Sequence, residues 1–478
     1  MGAFTMRNLV VGLQLLSVAA AAAIDISARS VAADLKSLVS SSGVGVVARE
    51  RWSEFDAPQP AVVVNATCES DLKAVVKYCA KNKVPILAQN GGNGWAAGQW
   101  DLGTGVMLNL AGLNQVVVST DKKTALVGGG ALVGDVIAAA DAAGVLVQTG
   151  NCNCVGALGA ALGGGYGNIM GERGFFVDNI LSMRVITPAG EAVTVTPSSD
   201  PDLFWALRGA GPNFGVVTYA TVNAFATADR TSWIMSMTFA PSQIAQVAQA
   251  IQDLPLLPQQ VVYLVLTNSG DAENTPMVLV TGFLRGGTEA SGRKAYAPLY
   301  ALDPLTNSSA VTPYTSWNAA NDPFCGRGGR KPALSTTINN MKASTWSSIW
   351  SLYTDFQKLP GAENSAILIE RYNLTKAQSV GRGKAALHDE LRFDAFAQAI
   401  VIPWYEDTSL DTAALTFGSK VRDIWSFSAS PTVNPTYINF AHGDESLSAI
   451  YGSSLGRLRT LKKKYDPTNV FGQWFSLA

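Results

Sequence analysis

The stretch Thr149-Gly150-Asn151-Cys152-Asn153-Cys154-Val155-Gly156-Ala157-Leu158-Gly159-Ala160-Ala161-Leu162-Gly163-Gly164-Gly165-Tyr166-Gly167 is the densest glycine run in the chain. Two smaller clusters precede it, Asn90-Gly91-Gly92-Asn93-Gly94 and Gly128-Gly129-Gly130. Each cluster follows a short β pattern: Pro85–Ala88, Thr124–Val127 and Val145–Val147 respectively. Glycine lets backbone N–H groups approach a ligand closely, and successive N–H groups in a turn form a concavity suited to a pyrophosphate. A lone Gly-Gly reads as a tight turn. Several clusters behind strands of one domain read as a dinucleotide cradle. Neither a Gly-x-Gly-x-x-Gly fingerprint with its distant acid nor a P-loop is present, so the nucleotide is held in another way.

Outward from the belt, composition narrows the function. The 478 residues include 45 glycines, and Lys+Arg 35 against Asp+Glu 36 leaves a net charge of −1. No basic field exists to hold nucleic acid or an anionic membrane surface. With only two histidines, His388 and His442, His-rich metal centres are excluded, no metal site is expected, and a Ser-His-Asp triad has little room. Residues 1–23 carry Arg7, an apolar run from Leu9 to Leu16 and alanines 19–23, which predicts a cleaved secretory signal peptide and no anchor afterwards. The sequons at Asn65, Asn307 and Asn373 predict N-glycans. Together these place the chain in the secretory pathway or outside the cell. Five cysteines leave at least one thiol over.

The hydrophobic pattern predicts an α+β chain. Residues 24–225 alternate short strands and helices, including a helical lead-in (Asp25–Ser41), a helix over Leu72–Ala80 and a hairpin turning at Pro188-Ala189-Gly190. Residues 226–430 read as an antiparallel sheet backed by helices, with strands at Trp233–Phe239, Val261–Thr267, Met277–Leu284, Ala366–Glu370 and Ala395–Ile402. Residues 431–478 form a segment returning to the first domain, with one amphipathic helix predicted from Ser446 to Tyr465.

These motifs, in this order, resemble the PCMH-type FAD-binding fold of the vanillyl-alcohol oxidase superfamily, and most closely the berberine-bridge-enzyme-like oxidases of the fungal secondary-metabolism type. The likeness is carried by Gly91-Gly92, by Gly150-x-Cys152-x-x-Val155-Gly156 through Gly167, and by Gly174-x-x-x-Asp178-Asn179. It continues in Asp202–Gly209, Asn213–Thr218, Tyr437-Ile438-Asn439 and Leu461–Phe471. The resemblance implies an α/β flavin domain in two subdomains and a substrate domain with an antiparallel sheet. It also implies FAD held by Asn90, Gly91, Gly92, Asn93, Gly94, Cys152, Val155, Gly156, Gly159, Leu162, Gly163, Gly164, Gly165, Tyr166, Gly167, Gly215, Val217, Tyr437, Asn439 and Gln473.

The departures are as informative. The family's usual flavin tether is a histidine after the Gly-Gly; here that position is Asn93, whose amide is not nucleophilic, so a histidyl link is excluded. Cys152 stands where other members attach flavin through sulfur. A cysteinyl link, a disulfide to Cys68 or Cys79, and a packed thiol all stay open. Gln89-Asn90, Pro212 and Gly472 also differ from the usual residues. Four catalytic candidates emerge: Tyr437 by resemblance, Glu370 and Tyr372 near a strand end, and His388. The strand position where some members carry the base falls on Gln398 or Ala399, neither of which can act as one. The implied activity is a secreted oxidase passing a hydride from a small apolar or aromatic natural product to flavin and then reducing O2. A redox-neutral isomerase or pericyclic cyclase on the same fold is the alternative, and a non-catalytic binding protein the third reading.

Overall fold

A computed structural model describes residues 30–39, 43–45, 50–270, 274–428 and 434–478; the signal segment at 1–23 lies outside them. The first sheet comprises β1 (Gly43–Gly45), β2 (Val62–Asn65), β3 (Ile86–Gln89) and β4 (Val106–Asn109), in the order β1-β2-β4-β3. β2 and β3 both run parallel to β4. The helix Glu69–Asn82 makes the crossover between β2 and β3 and buries Leu72, Val75, Val76 and Cys79, a stripe at helical spacing.

The second sheet is antiparallel. It orders β5 (Val116–Val118), β6 (Thr124–Gly128), β8 (Ile180–Ile186), β9 (Ala192–Val195) and β10 (Val216–Asn223) as β5-β6-β10-β8-β9. A short ribbon pairs β7 (Val145–Leu146) with β11 (Phe225–Ala226). The largest sheet contains β12 (Thr231–Phe239), β13 (Gln260–Asn268), β14 (Pro276–Arg285), β15 (Thr306–Pro313), β16 (Leu334–Ile338), β17 (Ala366–Tyr372) and β18 (Ala397–Ile402). Its order is β15-β12-β14-β13-β17-β18-β16, with every pair antiparallel.

Both faces of that sheet are covered in its centre. Val262, Leu264, Ile367, Ile369, Ala399 and Val401 face helices Ile244–Asp253, Trp346–Gln357 and Asp411–Ser428. The alternate residues Val261, Tyr263, Val265 and Tyr372 join the core of the glycine-rich half. Strands with two buried faces lose the apolar–polar alternation of a half-buried sheet. Continuous runs such as Ala366–Ile369 follow from this.

Three expectations are corrected. Strands β15 and β16 were not predicted: Asn307-Ser308-Ser309 is polar because β15 is the sheet edge, and Leu334–Ile338 is mostly hydroxylic although fully buried. The tail helix is broken. It runs as Leu447–Tyr451, a 3-10 turn at Gly452–Ser454, then Leu455–Tyr465. The His388 ring packs on Gly452, where an added Cβ would come within 2.5 Å of Nε2 at a backbone φ of +49°. The lead-in helix ends at Leu38, short of the expected Ser41, and the expected start at 25–29 lies outside the described residues.

The tail does pack on the first half. Lys462 Nζ donates to the carbonyls of Asn213 and Phe471, both at 2.9 Å, and to Asp466 at 2.8 Å. A second buried pair joins the two halves: Arg392 Nη1 donates to Asp178 Oδ2 at 2.6 Å with both side chains at most 4% exposed. Removing one partner of such a pair leaves an uncompensated charge, which costs about 3–5 kcal/mol. Arg392→Met should therefore lower the urea midpoint sharply, and Arg392→Met with Asp178→Asn should recover part of the loss.

Candidate active site

One large cavity, of about 320 Å3, lies between the glycine belt and the largest sheet. Its floor is glycine backbone. Gly91, Gly92, Asn93 and Gly94 leave β3, while Gly156, Gly159, Gly163 and Gly165 surround the short helix Ala157–Leu162. The two loops touch so closely that a Cβ on Gly91 would stand 2.6 Å from the Gly156 nitrogen. Gly92 turns the chain at φ +71°. Among the described residues, the N–H groups of 91–94 donate to no protein acceptor. Their backbone lines the cavity, so four consecutive donors stand at its wall, an arrangement suited to an anion.

A segment of the second half clamps this floor. Cys154 and Cys325 form a disulfide across 171 residues with Cα atoms 5.9 Å apart. Asn318 Nδ2 donates to the Gly150 carbonyl at 3.2 Å and Asn321 Nδ2 to that of Asn151 at 2.9 Å. The Asn93 amide, in the orientation that satisfies it, donates to the carbonyls of Gly91 (3.0 Å) and Cys154 (3.2 Å). Cys152 is a thiol on the cavity wall and not a partner of Cys68 or Cys79. Burial, then the nearby Glu370 and Asp322, push this thiol up to about 12, so it is protonated at neutral pH and a weak nucleophile.

The roof belongs to β17 and β18. Leu368 and Glu370 alternate on one strand, and Ile400 and Ile402 on its neighbour, all lining the cavity with Phe324 and Phe440. Trp52 and Trp95 extend this apolar wall, with ring centroids 5.1 Å apart. Glu370 is not at a solvated strand end: it is 8% exposed, and burial raises its carboxyl from 4.5 to about 7, opposed by Tyr372. Tyr372 OH donates to Glu370 Oε2 at 2.8 Å and accepts from Asn151 Nδ2. In register, Glu370 lies directly opposite Gln398. Gln398 donates to Tyr166 OH at 2.9 Å, and the Tyr166 ring packs edge-on to Tyr437 at 4.9 Å. Tyr437 OH accepts from the Gly165 N–H (2.9 Å) and from Asn439 Nδ2 (2.6 Å). Burial nonetheless pushes its phenol up to about 12.

The structure thus gathers Asn90, Gly91, Gly92, Asn93, Gly94, Cys152, Val155, Gly156, Gly159, Gly163, Gly165, Tyr166, Glu370, Tyr437 and Asn439 around one cavity. Leu162, Gly164, Gly167, Gly215 and Val217 do not line it. Gln473 faces away, its Oε1 accepting from the Asp101 N–H at 2.7 Å. His388 is also outside; its Nδ1 accepts from the Glu390 N–H at 3.2 Å, and burial lowers its pKa. Sequence reasoning missed Arg51, Trp52, Trp95, Trp100, Asn151 and Trp474. All six line the cavity; Trp95 follows Gly94 directly and Asn151 sits one residue before Cys152, while Arg51, Trp52, Trp100 and Trp474 come from segments outside the glycine clusters.

Comparison with known proteins agrees with this geometry. A family model described as an FAD binding domain matches residues 60–196, and one described as "Berberine and berberine like" matches residues 436–474. The FAD-linked oxidoreductase hasG of Aspergillus fumigatus is 30% identical over 437 residues, covering 88% of this chain and 92% of its own. Among solved structures, the wild-type BBE-like 1 of Physcomitrella patens superposes with a TM-score of 0.78 at 21% identity, covering 94% of this chain and 99% of that one. The carbohydrate oxidase of Microdochium nivale gives 0.80 at 18% identity, again covering 94% and 99%. These two share the fold. The cavity fits a flavin dinucleotide on its own evidence: unpartnered N–H groups at 91–94, and at Gly159 a position where an added Cβ would meet nothing within 4 Å.

Two chemical outcomes follow. A non-reducing digest should recover the Cys154–Cys325 peptide pair, with Cys152 alkylated without prior reduction. Acid precipitation should leave the yellow colour in the supernatant, since Asn93 offers no nucleophile and burial disfavours the Cys152 thiolate; colour in the pellet would refute this.

Proposed function

The chain belongs to the berberine-bridge-enzyme-like family of FAD-linked oxidoreductases, and from that premise we propose that it is a secreted oxidase of a small apolar or aromatic molecule, with Glu370 as its base and O2 as its electron acceptor. Bound FAD supplies a two-electron acceptor for a hydride leaving the substrate carbon. The proton lost from the substrate's hydroxyl or amine needs a group that is unprotonated near neutral pH yet buried beside the reacting carbon. The observation that carries the reading is Glu370, a carboxyl on the cavity wall held near 7. A base poised near the working pH serves proton transfer best. Tyr437, pushed up to about 12, is protonated there and suits a hydrogen-bonding role instead.

The other wall residues serve this group. Tyr372 accepts from Asn151, which leaves its own proton directed at Glu370. A hydrogen bond to the charged form favours that form, so Tyr372 keeps the carboxyl lower than burial alone would. The apolar side chains of Leu368, Ile400, Ile402, Phe324 and Phe440 exclude water and favour an aromatic or alkyl substrate over a sugar. This distinguishes the reading from the carbohydrate oxidation named for a structural neighbour. In balance, the substrate gives up two electrons and two protons, and O2 takes both to become hydrogen peroxide.

Stopped-flow reduction of the bound flavin under anaerobic conditions tests the assignment. Its rate should fall as pH is lowered through about 7, because the base is then protonated. Glu370→Gln should slow it about 10²–10⁴-fold and abolish that limb. Turnover without O2 uptake or peroxide would instead assign the redox-neutral alternative.

A further inference from the structure

Arg51 stands against the floor of the cavity without a counter-charge. Its Nη2 donates to the Gly94 carbonyl at 2.6 Å and its Nη1 to Gln89 Oε1 at 2.5 Å, so the guanidinium lies on the loop that carries the unpartnered N–H groups of 91–94. The chain holds it there: the Trp52 N–H donates to the Gly92 carbonyl at 3.0 Å, and the guanidinium sits over the Trp100 ring at 5.2 Å. Arg51 is 8% exposed, its Nε has no hydrogen-bond acceptor, and among the described residues no carboxylate lies within 4.0 Å of it. The charge that acts on it is another cation, Arg327, whose Nη2 donates to the Gly91 carbonyl at 2.9 Å.

Buried charges are ordinarily paired, because an isolated one forfeits its hydration without return. Burial and Arg327 lower Arg51 to about 10, which still leaves it charged at neutral pH. A desolvated cation beside four consecutive N–H donors that have no protein acceptor is an arrangement suited to an anion. Of the parts of FAD, the diphosphate alone carries formal charge. We propose that Arg51 is the counter-charge for the cofactor's diphosphate, so that a residue outside the glycine motifs supplies the electrostatic hold on a flavin that has no histidyl tether.

The test compares two flavins that differ in that group. In a Cys152→Ala background, which removes any sulfur link, the dissociation constant of FAD is measured by the fluorescence of released flavin, and that of riboflavin likewise after exchange. Arg51→Gln should weaken FAD between tenfold and a hundredfold, the scale of a charge-assisted hydrogen bond, and leave riboflavin unchanged. Inorganic pyrophosphate should compete with FAD less well in the variant. Because Gln89 touches the guanidinium, the Arg51→Gln, Gln89→Arg double variant returns a cation to the same loop and should recover most of the FAD affinity; it also guards against a simple folding defect. Equal loss for both flavins would make Arg51 a packing residue and overturn the proposal. So would unchanged FAD affinity, with only the substrate KM raised, since the anion would then belong to the substrate.

Discussion

The arrangement depends on one constraint: the central strands of the largest sheet are buried on both faces, so their period of two decides what each residue meets. On β17, Ile367 and Ile369 go to the helical layer, which sends Leu368, Glu370 and Tyr372 to the cavity side. A slip of one residue would exchange the two sets, placing a carboxylate among helices and isoleucines over the floor. The register Tyr263↔Glu370↔Gln398 fixes the carboxyl among phenols and an amide, with the Cys152 thiol also close enough to feel its charge. Its raised proton affinity is therefore a property of strand register before it is a property of chemistry.

The opposite wall has no sheet to hold it. Glycine loops approach a ligand because they lack side chains, and for the same reason they have little of their own to pack with. The structure answers this from outside. Residues 318–325 reach over from the second half with a disulfide and asparagine hydrogen bonds to the belt, while Arg327 and Arg51 secure 91–94. The floor is thereby set before any ligand arrives, and donors fixed in advance lose less on binding than donors that must be ordered first.

How much of this was legible follows the same division. Gly91-Gly92, Gly156 to Gly165 and Tyr437-x-Asn439 were readable because each residue type is demanded by a local backbone task or by a dense motif. The roof was not. In Ala366-Ile367-Leu368-Ile369-Glu370 four apolar residues run together, and nothing in that run says which face looks into a cavity; Glu370 read as a strand end because the second covering layer is invisible in one dimension. Glu370 stands directly across the ladder from Gln398, a relation set by register and not by sequence distance. Arg51 was hidden for a further reason: the run Arg49-Glu50-Arg51 has the look of a charged surface stretch, and only the contact of Arg51 with a loop 38 residues on shows otherwise.

The two walls together explain how a flavin can be held here without a histidyl bond. Asn93 closes its own loop by donating to the carbonyls of Gly91 and Cys154, so the position that is a tether elsewhere has become a brace. The Cys152 thiol is held protonated by burial, and the charge of an ionised Glu370 opposes its ionisation further. An ionised Glu370 thus makes Cys152 a worse nucleophile, because its negative charge opposes formation of the thiolate. Hold on the cofactor then shifts to groups that do not compete with the base. The N–H row and the buried guanidinium are of that kind, since they line the loop at the other wall and carry the opposite sign.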